Sequence, residues 1–377
     1  MKNADHTRRI VIAANTAWYL YNFRSSTISH LRELGWEVLA CCPDGEYSEK
    51  LTKLGAKTHH IGVSRKGLNP IGELLTIIQY YRFYKKTRPL IILNFTPKCN
   101  IYSSIAAILL RIPFINNISG LGYIFSKGGV IVKIVSLLYR ATQRSASSVF
   151  FQNNDDLRLF VDSGIVAEKA AIRTFGSGVS LQQFAFSPRE QDGIVRCIFV
   201  GRLLVEKGVL IFADVARQMM ELDERFEFSI VGPIDPGSPS GIDIGLVNSW
   251  ERQGFLRYLG TSDSVEVILK NQDVVVLPSN YGEGMPKSLL ESAAMGKVII
   301  TTDTPGCRET VTLSSGYLLR ENTVAEIKKF LTDYADLSAR EKLEMAYAAR
   351  AYAEKNFSDH FNISLYEDAI DRAIGNA

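Results

Sequence analysis

The sequence predicts an α/β protein built from two doubly wound parallel-sheet domains. Three observations carry that expectation. The chain has 377 residues, enough for two separate cores. Short apolar runs alternate with helical stretches in both halves, the pattern of parallel strands joined by helical crossovers. Residues 273–302 form a compact strand–helix–strand unit: DVVVLP, a glycine-bearing turn, a helix to about Met295, then KVIITT.

Composition excludes several classes. With 46% hydrophobic and 22% charged residues, the chain reads as an ordinary globular protein. Arg111 and Lys133 interrupt the longest apolar runs, so no membrane-spanning helix is expected. Residues 10–14 are too short for a signal-peptide core and read as a first strand. Five cysteines without a C-x-x-C pair suit reduced thiols and a cytoplasmic setting. The net charge of +3 conceals an asymmetry: 23 Lys and Arg against 11 Asp and Glu up to Ser187, and 20 against 29 thereafter. A basic half needs an anionic partner. No nucleic-acid-binding motif accompanies it, so an anionic membrane surface or a lipid diphosphate is the favoured partner.

In chain order, strands are expected at 9–15, 37–42, 57–63, 90–95, 114–119 and 148–152, with the clearest helices at 70–86 and 100–110. Residues 79–88 (QYYRFYKKTR) and 127–144 (KGGVIVKIVSLLYRATQR) mix cations with large apolar side chains. Such helices can lie in the headgroup region of an anionic bilayer; the alternative is a core-facing helix with a solvated basic edge. Gly- and Pro-containing stretches at 176–179 and 187–193 mark a hinge. The expected domains are therefore 1–187 and 188–356, with a last helix at 357–377 crossing back onto the first. Histidines 6, 30, 59, 60 and 360 suggest no catalytic set. His59-His60 lacks further ligands at metal spacing, and neither metal nor cofactor is expected.

The second half opens with a strand at 195–202. Arg202 ends it, and Lys207 begins the next helix beside Gly208. Residues 233–245 (PIDPGSPSGIDIG) form a loop at the same sheet edge. The stretch that organises this half is 279–291, SNYGEGMPKSLLE. Pro286 suits the first helical position, and the amides of that first turn suit a phosphate. Glu283 precedes the helix, and Glu291 lies five residues past Pro286, roughly 7–8 Å along the axis. A nucleoside diphosphate sugar spans that interval with its diphosphate at the helix start, its ribose on Glu291 and its sugar near Glu283. The plain alternative is a loop glutamate and a surface helical glutamate.

The spacing from Glu283 to Glu291 resembles the E-x7-E motif of retaining glycosyltransferases of family 4, which have the GT-B fold of two Rossmann-like domains facing across a cleft. FVGRL at 199–203 with Glu206-Lys207-Gly208, then Val231-Gly232-Pro233, Tyr258-Leu259-Gly260, Leu277-Pro278-Ser279 and Pro305-Gly306-Cys307-Arg308-Glu309, fall in family order. The resemblance implies catalytic roles for Arg202, Lys207 and Glu283. It implies donor contacts at Gly201, Gly284, Met285, Pro286, Lys287 and Glu291, and acceptor contacts at Asn15, Thr16, Lys98, Ser119 and Gly120. Two departures stand out: the turn 15–19 lacks the paired glycines many members carry, and Ser119 stands where many carry histidine. The implied reaction moves a hexose or N-acetylhexosamine from a nucleotide sugar, UDP-linked, to a polyprenyl-diphosphate-linked glycan in bacterial surface-glycan assembly, such as O-antigen, capsule or N-glycan. No D-x-D motif is present, in keeping with metal independence. The rival readings are an epimerase or hydrolase of the same fold and a non-catalytic binding subunit.

Overall fold

The computed structural model describes residues 8–63, 70–120, 130–235 and 237–375, the side chains of 130–135 excepted. The backbone divides into two units. The first runs to Ser177 and includes the segment from Asp359; the second is Gly178–Ser358.

The first unit holds β1 (Arg9–Ala13), β2 (Glu37–Cys42), β3 (Lys57–His60), β4 (Ile91–Asn94), β5 (Phe114–Ile118), β6 (Ser148–Phe151) and β7 (Ala171–Arg173). They pair in the order β3-β2-β1-β4-β5-β6-β7, all in parallel. Residues alternate between two apolar layers, the period-2 consequence of the pleat. Val11, Cys41 and Ile92 face a layer containing Tyr80, Tyr84 and Ala107. Ile10, Ile12, Val38 and Leu93 face the opposite layer with Leu20, Ile28 and Tyr366. Both faces are covered, which is why β1 and β4 read as near-continuous apolar runs. The strand order reverses between β1 and β4, where open parallel sheets bind ligands outside the strand ends.

The second unit holds β8 (Val195–Val200), β9 (Phe226–Val231), β10 (Arg257–Tyr258), β11 (Val274–Leu277), β12 (Val298–Thr302) and β13 (Gly316–Leu319). Their order is β10-β9-β8-β11-β12-β13, again parallel. The switch point lies between β8 and β11, the strands that lead to Arg202 and to the 279–286 turn.

Several expectations are corrected. The division falls after Ser177, not Ser187, because residues 178–187 are tied to the second unit. Arg350 Nη1 donates to Phe184 O at 3.0 Å, Phe186 stacks on Tyr347, and buried Lys297 donates to Ser187 O at 2.6 Å. The final helix is Asp359–Gly375. Its Tyr366, Ala369 and Ile370 complete the first unit's core, with Tyr366 stacked on Phe150 at 4.4 Å. The three-residue edge strand β7 was not anticipated. The helix after β4 begins at Pro97, not residue 100, because proline at a helix start loses no hydrogen bond.

The aromatics of 79–88 are also reassigned. Tyr80, Phe83 and Tyr84 are core residues, with Tyr84 hydroxyl and Ser103 2.6 Å apart. The cations of that segment and Gln79 are its exposed residues. Of the segment 127–144, residues 127–129 and the side chains of 130–135 lie outside the described residues.

Candidate active site

The site of the second unit grows from the carboxyl end of β11. Its four residues are fully buried, and the chain then turns through 279–286 into the Lys287–Ala294 helix. The turn is pinned from three sides. Thr302 Oγ1, at the end of β12, donates to Ser279 O, and Asn280 N donates to Glu206 O at 2.7 Å. Asn322 Nδ2 reaches Pro278 O at 3.2 Å and Asn280 Oδ1 at 3.1 Å. Sequence reading missed Thr302 and Asn322, since a hydroxyl on a neighbouring strand and an amide about forty residues downstream carry no local signal.

Pro286 is the residue before the helix rather than its first residue. Its ψ of 117° is extended, and its carbonyl accepts from Leu289 N at 3.0 Å. The correction moves the helix start by one residue and leaves its direction unchanged. The first turn begins at Lys287, after the compact Glu283–Gly284–Met285 bend.

Lys207 Nζ lies 2.7 Å from Glu283 Oε1, and both side chains are largely withdrawn from solvent. Ser279 Oγ donates to the same carboxylate oxygen at 3.4 Å. Lys207 ends a short turn, Val205–Lys207, and Gly208 follows with φ +81°. A Cβ on Gly208 would fall 2.2 Å from Pro278 O, so only glycine lets the Lys207 turn approach β11 this closely. Gly201 lies against the stem of Lys207, within 3.7 Å of its Cδ as measured from a Cβ position.

Arg202 occupies the same sheet edge, two residues past β8, with its guanidinium 3.8 Å from Asp235 Oδ2 and 38% of its side chain exposed. The structure thus joins Lys207 to Glu283 and leaves Arg202 beside the 233–245 loop. Glu291 is not a surface glutamate: it is 9% exposed. Burial pushes its carboxyl up to about 7, against the opposing pull of Lys287, whose Nζ is 3.7 Å away. Met285 is also buried.

Gly306, in the stretch 305–309, supports the bend from behind. Its φ is +79°, and a Cβ there would sit 2.1 Å from Gly284 O and 2.9 Å from Glu283 O. Gly306→Ala is therefore expected to displace the Glu283–Gly284 bend, costing about 1–3 kcal/mol of stability and raising the donor KM. Thermal unfolding and donor kinetics check this. Unchanged values in both would show that the bend is not held by this contact.

At the edge of the first sheet, Thr16 caps the Ala17–Glu33 helix, its Oγ1 accepting from Tyr19 N at 3.0 Å. Asn15 N donates to Thr96 Oγ1 at 3.2 Å, which ties the loops after β1 and β4 together. Lys98 is in the first turn of the Pro97–Leu110 helix and pairs with Glu73 at 2.5 Å. Asn100 Nδ2 donates to Asn117 O at 2.8 Å, and Asn117 Nδ2 donates to the Tyr366 hydroxyl. These bonds fix the end of β5, from which Ser119 and Gly120 emerge half-buried. The rest of the expected acceptor loop, 121–125, lies outside the described residues.

Two parallel-sheet units, each with its loops at the switch point, and in the second a lysine–glutamate pair beside a helix start make a doubly wound α/β architecture with polar groups gathered at one sheet edge. Comparisons with known proteins show the family. Residues 195–335 match the family described as Glycosyl transferases group 1, and residues 9–153 match Glycosyl transferase 4-like. Together the two matches span most of the chain, and the protein is a glycosyltransferase of the GT-B fold. It is 27% identical to the N,N'-diacetylbacillosaminyl-diphospho-undecaprenol alpha-1,3-N-acetylgalactosaminyltransferase of Campylobacter jejuni, over 98% of this chain and 100% of that enzyme. It is 28% identical to the putative colanic acid biosynthesis glycosyltransferase WcaL of Escherichia coli, over 52% of this chain and 49% of that protein. Among solved structures, Anabaena HepE in complex with UDP and glucose superposes with a TM-score of 0.79 at 14% identity, covering 97% of this chain and 100% of that one. That last likeness speaks for the fold alone.

Proposed function

We propose that this glycosyltransferase moves a hexose or N-acetylhexosamine from a UDP-sugar to a sugar carried on a polyprenyl diphosphate, with retention of anomeric configuration and without a metal. The observation that carries the reading is the Lys207–Glu283 pair, set ahead of the helix that bears Glu291. The Campylobacter relative, named for a diphospho-undecaprenol-linked substrate, supports the acceptor class.

The division of labour is taken from the family resemblance, and the placement of the residues supports it. As the bond to the leaving diphosphate breaks, its oxygens gather negative charge. Lys207, Arg202 and the amides at the start of the Lys287–Ala294 helix are preorganised to receive that charge. Glu283 is held by Lys207 and by Ser279, which suits a fixed acceptor for donor-sugar hydroxyls better than an attacking nucleophile. The acceptor oxygen then enters from the face the diphosphate leaves, and the departing phosphate oxygen takes its proton. Glu291 receives the ribose hydroxyls. Lys98, with Asn15, Thr16, Ser119 and Gly120, belongs to the acceptor side, where Lys98 exchanges its Glu73 partner for the lipid diphosphate. The basic first half faces an anionic membrane surface, consistent with peripheral association at the inner face of the plasma membrane. Among the described residues, no helix is long and apolar enough to cross a membrane.

The test is incubation of radiolabelled UDP-sugars with undecaprenyl-diphosphate-linked sugars. A lengthened lipid product with retained configuration is expected. Free epimer or free sugar would instead indicate an epimerase or hydrolase, and donor binding without turnover would indicate a non-catalytic subunit.

A further inference from the structure

The Pro70–Thr87 helix is apolar on two faces. Its inner face, with Thr76, Tyr80, Phe83 and Tyr84, is buried in the first unit. The opposite face carries Ile71, Leu74 and Leu75, exposed by 72%, 57% and 53%. These residues stand at i, i+3 and i+4, so they form one stripe, which half-buried Ile78 continues. Scattered exposed leucines are ordinary on soluble proteins, but a helix packed on one side normally turns a polar face outward. Farther along, the same face carries exposed Arg82 and Lys85, with Lys86 beside them. The helix has a single acid, Glu73, and that carboxylate is turned inward onto Lys98 with 13% of its side chain exposed. The outer face is therefore apolar in its first half, cationic in its second, and without a carboxylate.

The stripe begins beside the acceptor side. Glu73 lies one position before Leu74 and pairs with Lys98 in the first turn of the neighbouring helix. We propose that the first half of this helix docks into the surface of an anionic bilayer. Ile71, Leu74 and Leu75 would enter the headgroup–acyl boundary, and Arg82, Lys85 and Lys86 would rest on lipid phosphates. The inference rests on the lipid-carried acceptor proposed above and adds where the lipid lies: a diphosphate at the membrane surface meets Lys98 directly. A second copy of the chain is a poorer occupant. In a two-fold contact the patch meets itself, and it offers no carboxylate to pair with its three cations. An anionic lipid surface supplies the opposite charge.

Full-length protein sedimented with phosphatidylethanolamine vesicles containing about one quarter phosphatidylglycerol tests this. Wild type is expected to pellet with them and not with phosphatidylcholine alone. The double variant Leu74→Ser/Leu75→Ser is expected to lose vesicle affinity by about tenfold or more. Its thermal midpoint and its transfer to a short-chain, water-soluble diphosphate acceptor should stay unchanged. Leu222→Ser, which alters a leucine exposed by 72% in the second unit, controls for general hydrophobicity. The proposal is overturned if wild type stays in the supernatant, or if the double variant pellets as wild type does. It is likewise overturned if sedimentation velocity shows a dimer that the double variant splits. Vesicle binding is read without any reaction, so a failure of the transfer reading would appear in the short-chain assay while the vesicle result stands.

Discussion

Lys207→Ala is expected to lower kcat by about 10²–10³-fold, with a smaller change in donor KM. Two consequences of the substitution must be separated. One, on the proposed mechanism, is the loss of a cation from the place where the leaving diphosphate gathers charge, which acts on the transition state more than on the bound donor. The other is structural. Lys207 and Glu283 are 2.7 Å apart with most of both side chains out of water, and removing one member of such a pair costs about 3 kcal/mol or more. The double variant Lys207→Ala/Glu283→Gln distinguishes them. It removes the stranded carboxylate and should recover much of the lost thermal stability while leaving turnover low. Were the double variant to recover activity together with stability, the lysine would be a structural partner of Glu283 and no more. A single Lys207→Ala variant turning over within about threefold of wild type would contradict the catalytic role outright.

The parts of this molecule legible in the sequence are those set by local pattern. Strands β1, β2 and β11 are short, largely apolar runs between turn signals, and both sheets follow from the alternation of such strands with helices. The Glu283–Glu291 spacing was legible because helix geometry converts residue number into distance. What the sequence hid depends on partners distant along the chain. Residues 79–88 read as an aromatic, basic segment, yet the helical period sends Tyr80, Phe83 and Tyr84 inward and leaves the apolar outer stripe a turn or two earlier. Lys98 read only as an acceptor contact, and its pairing with Glu73 on the neighbouring helix left no local signal. Gly306 showed as a family-like glycine, but its reason, the passage of Gly284 O behind it, exists only in three dimensions. The burial of Glu291 was invisible for the same cause. Nothing in SLLESAA states that Leu289, Leu290, Ser292 and Ala293 would carry the glutamate inward with them.

That burial gives Glu291→Gln two opposite effects on one protein. Desolvation pushes the carboxyl up to about 7, above its value in the unfolded chain. A group raised in this way favours the fold fully below its unfolded pKa and loses that contribution as pH rises through its folded pKa. At about pH 8 the ligand-free enzyme then carries an ionised, buried carboxylate at a cost of about 2–3 kcal/mol, whereas below about pH 4 the cost is absent. Glu291→Gln is isosteric and neutral, so its ligand-free form should melt higher than wild type at about pH 8, with the gain shrinking as pH falls and vanishing below about pH 4. Donor binding should move the other way. In the proposed ribose role the ionised carboxylate accepts two hydroxyls where an amide offers one acceptor oxygen, so the donor KM of the variant should rise by about tenfold or more with kcat changed less. On that role, the thermal shift produced by UDP should rise with pH through about 7 more steeply in wild type than in the variant, where the ionisation of the UDP terminal phosphate near about pH 6 still contributes. Scanning fluorimetry across that range, with and without UDP, reads all of these together. Parallel melting curves for the two proteins at every pH would remove the buried-charge argument, and a large kcat loss at unchanged KM would remove the ribose role.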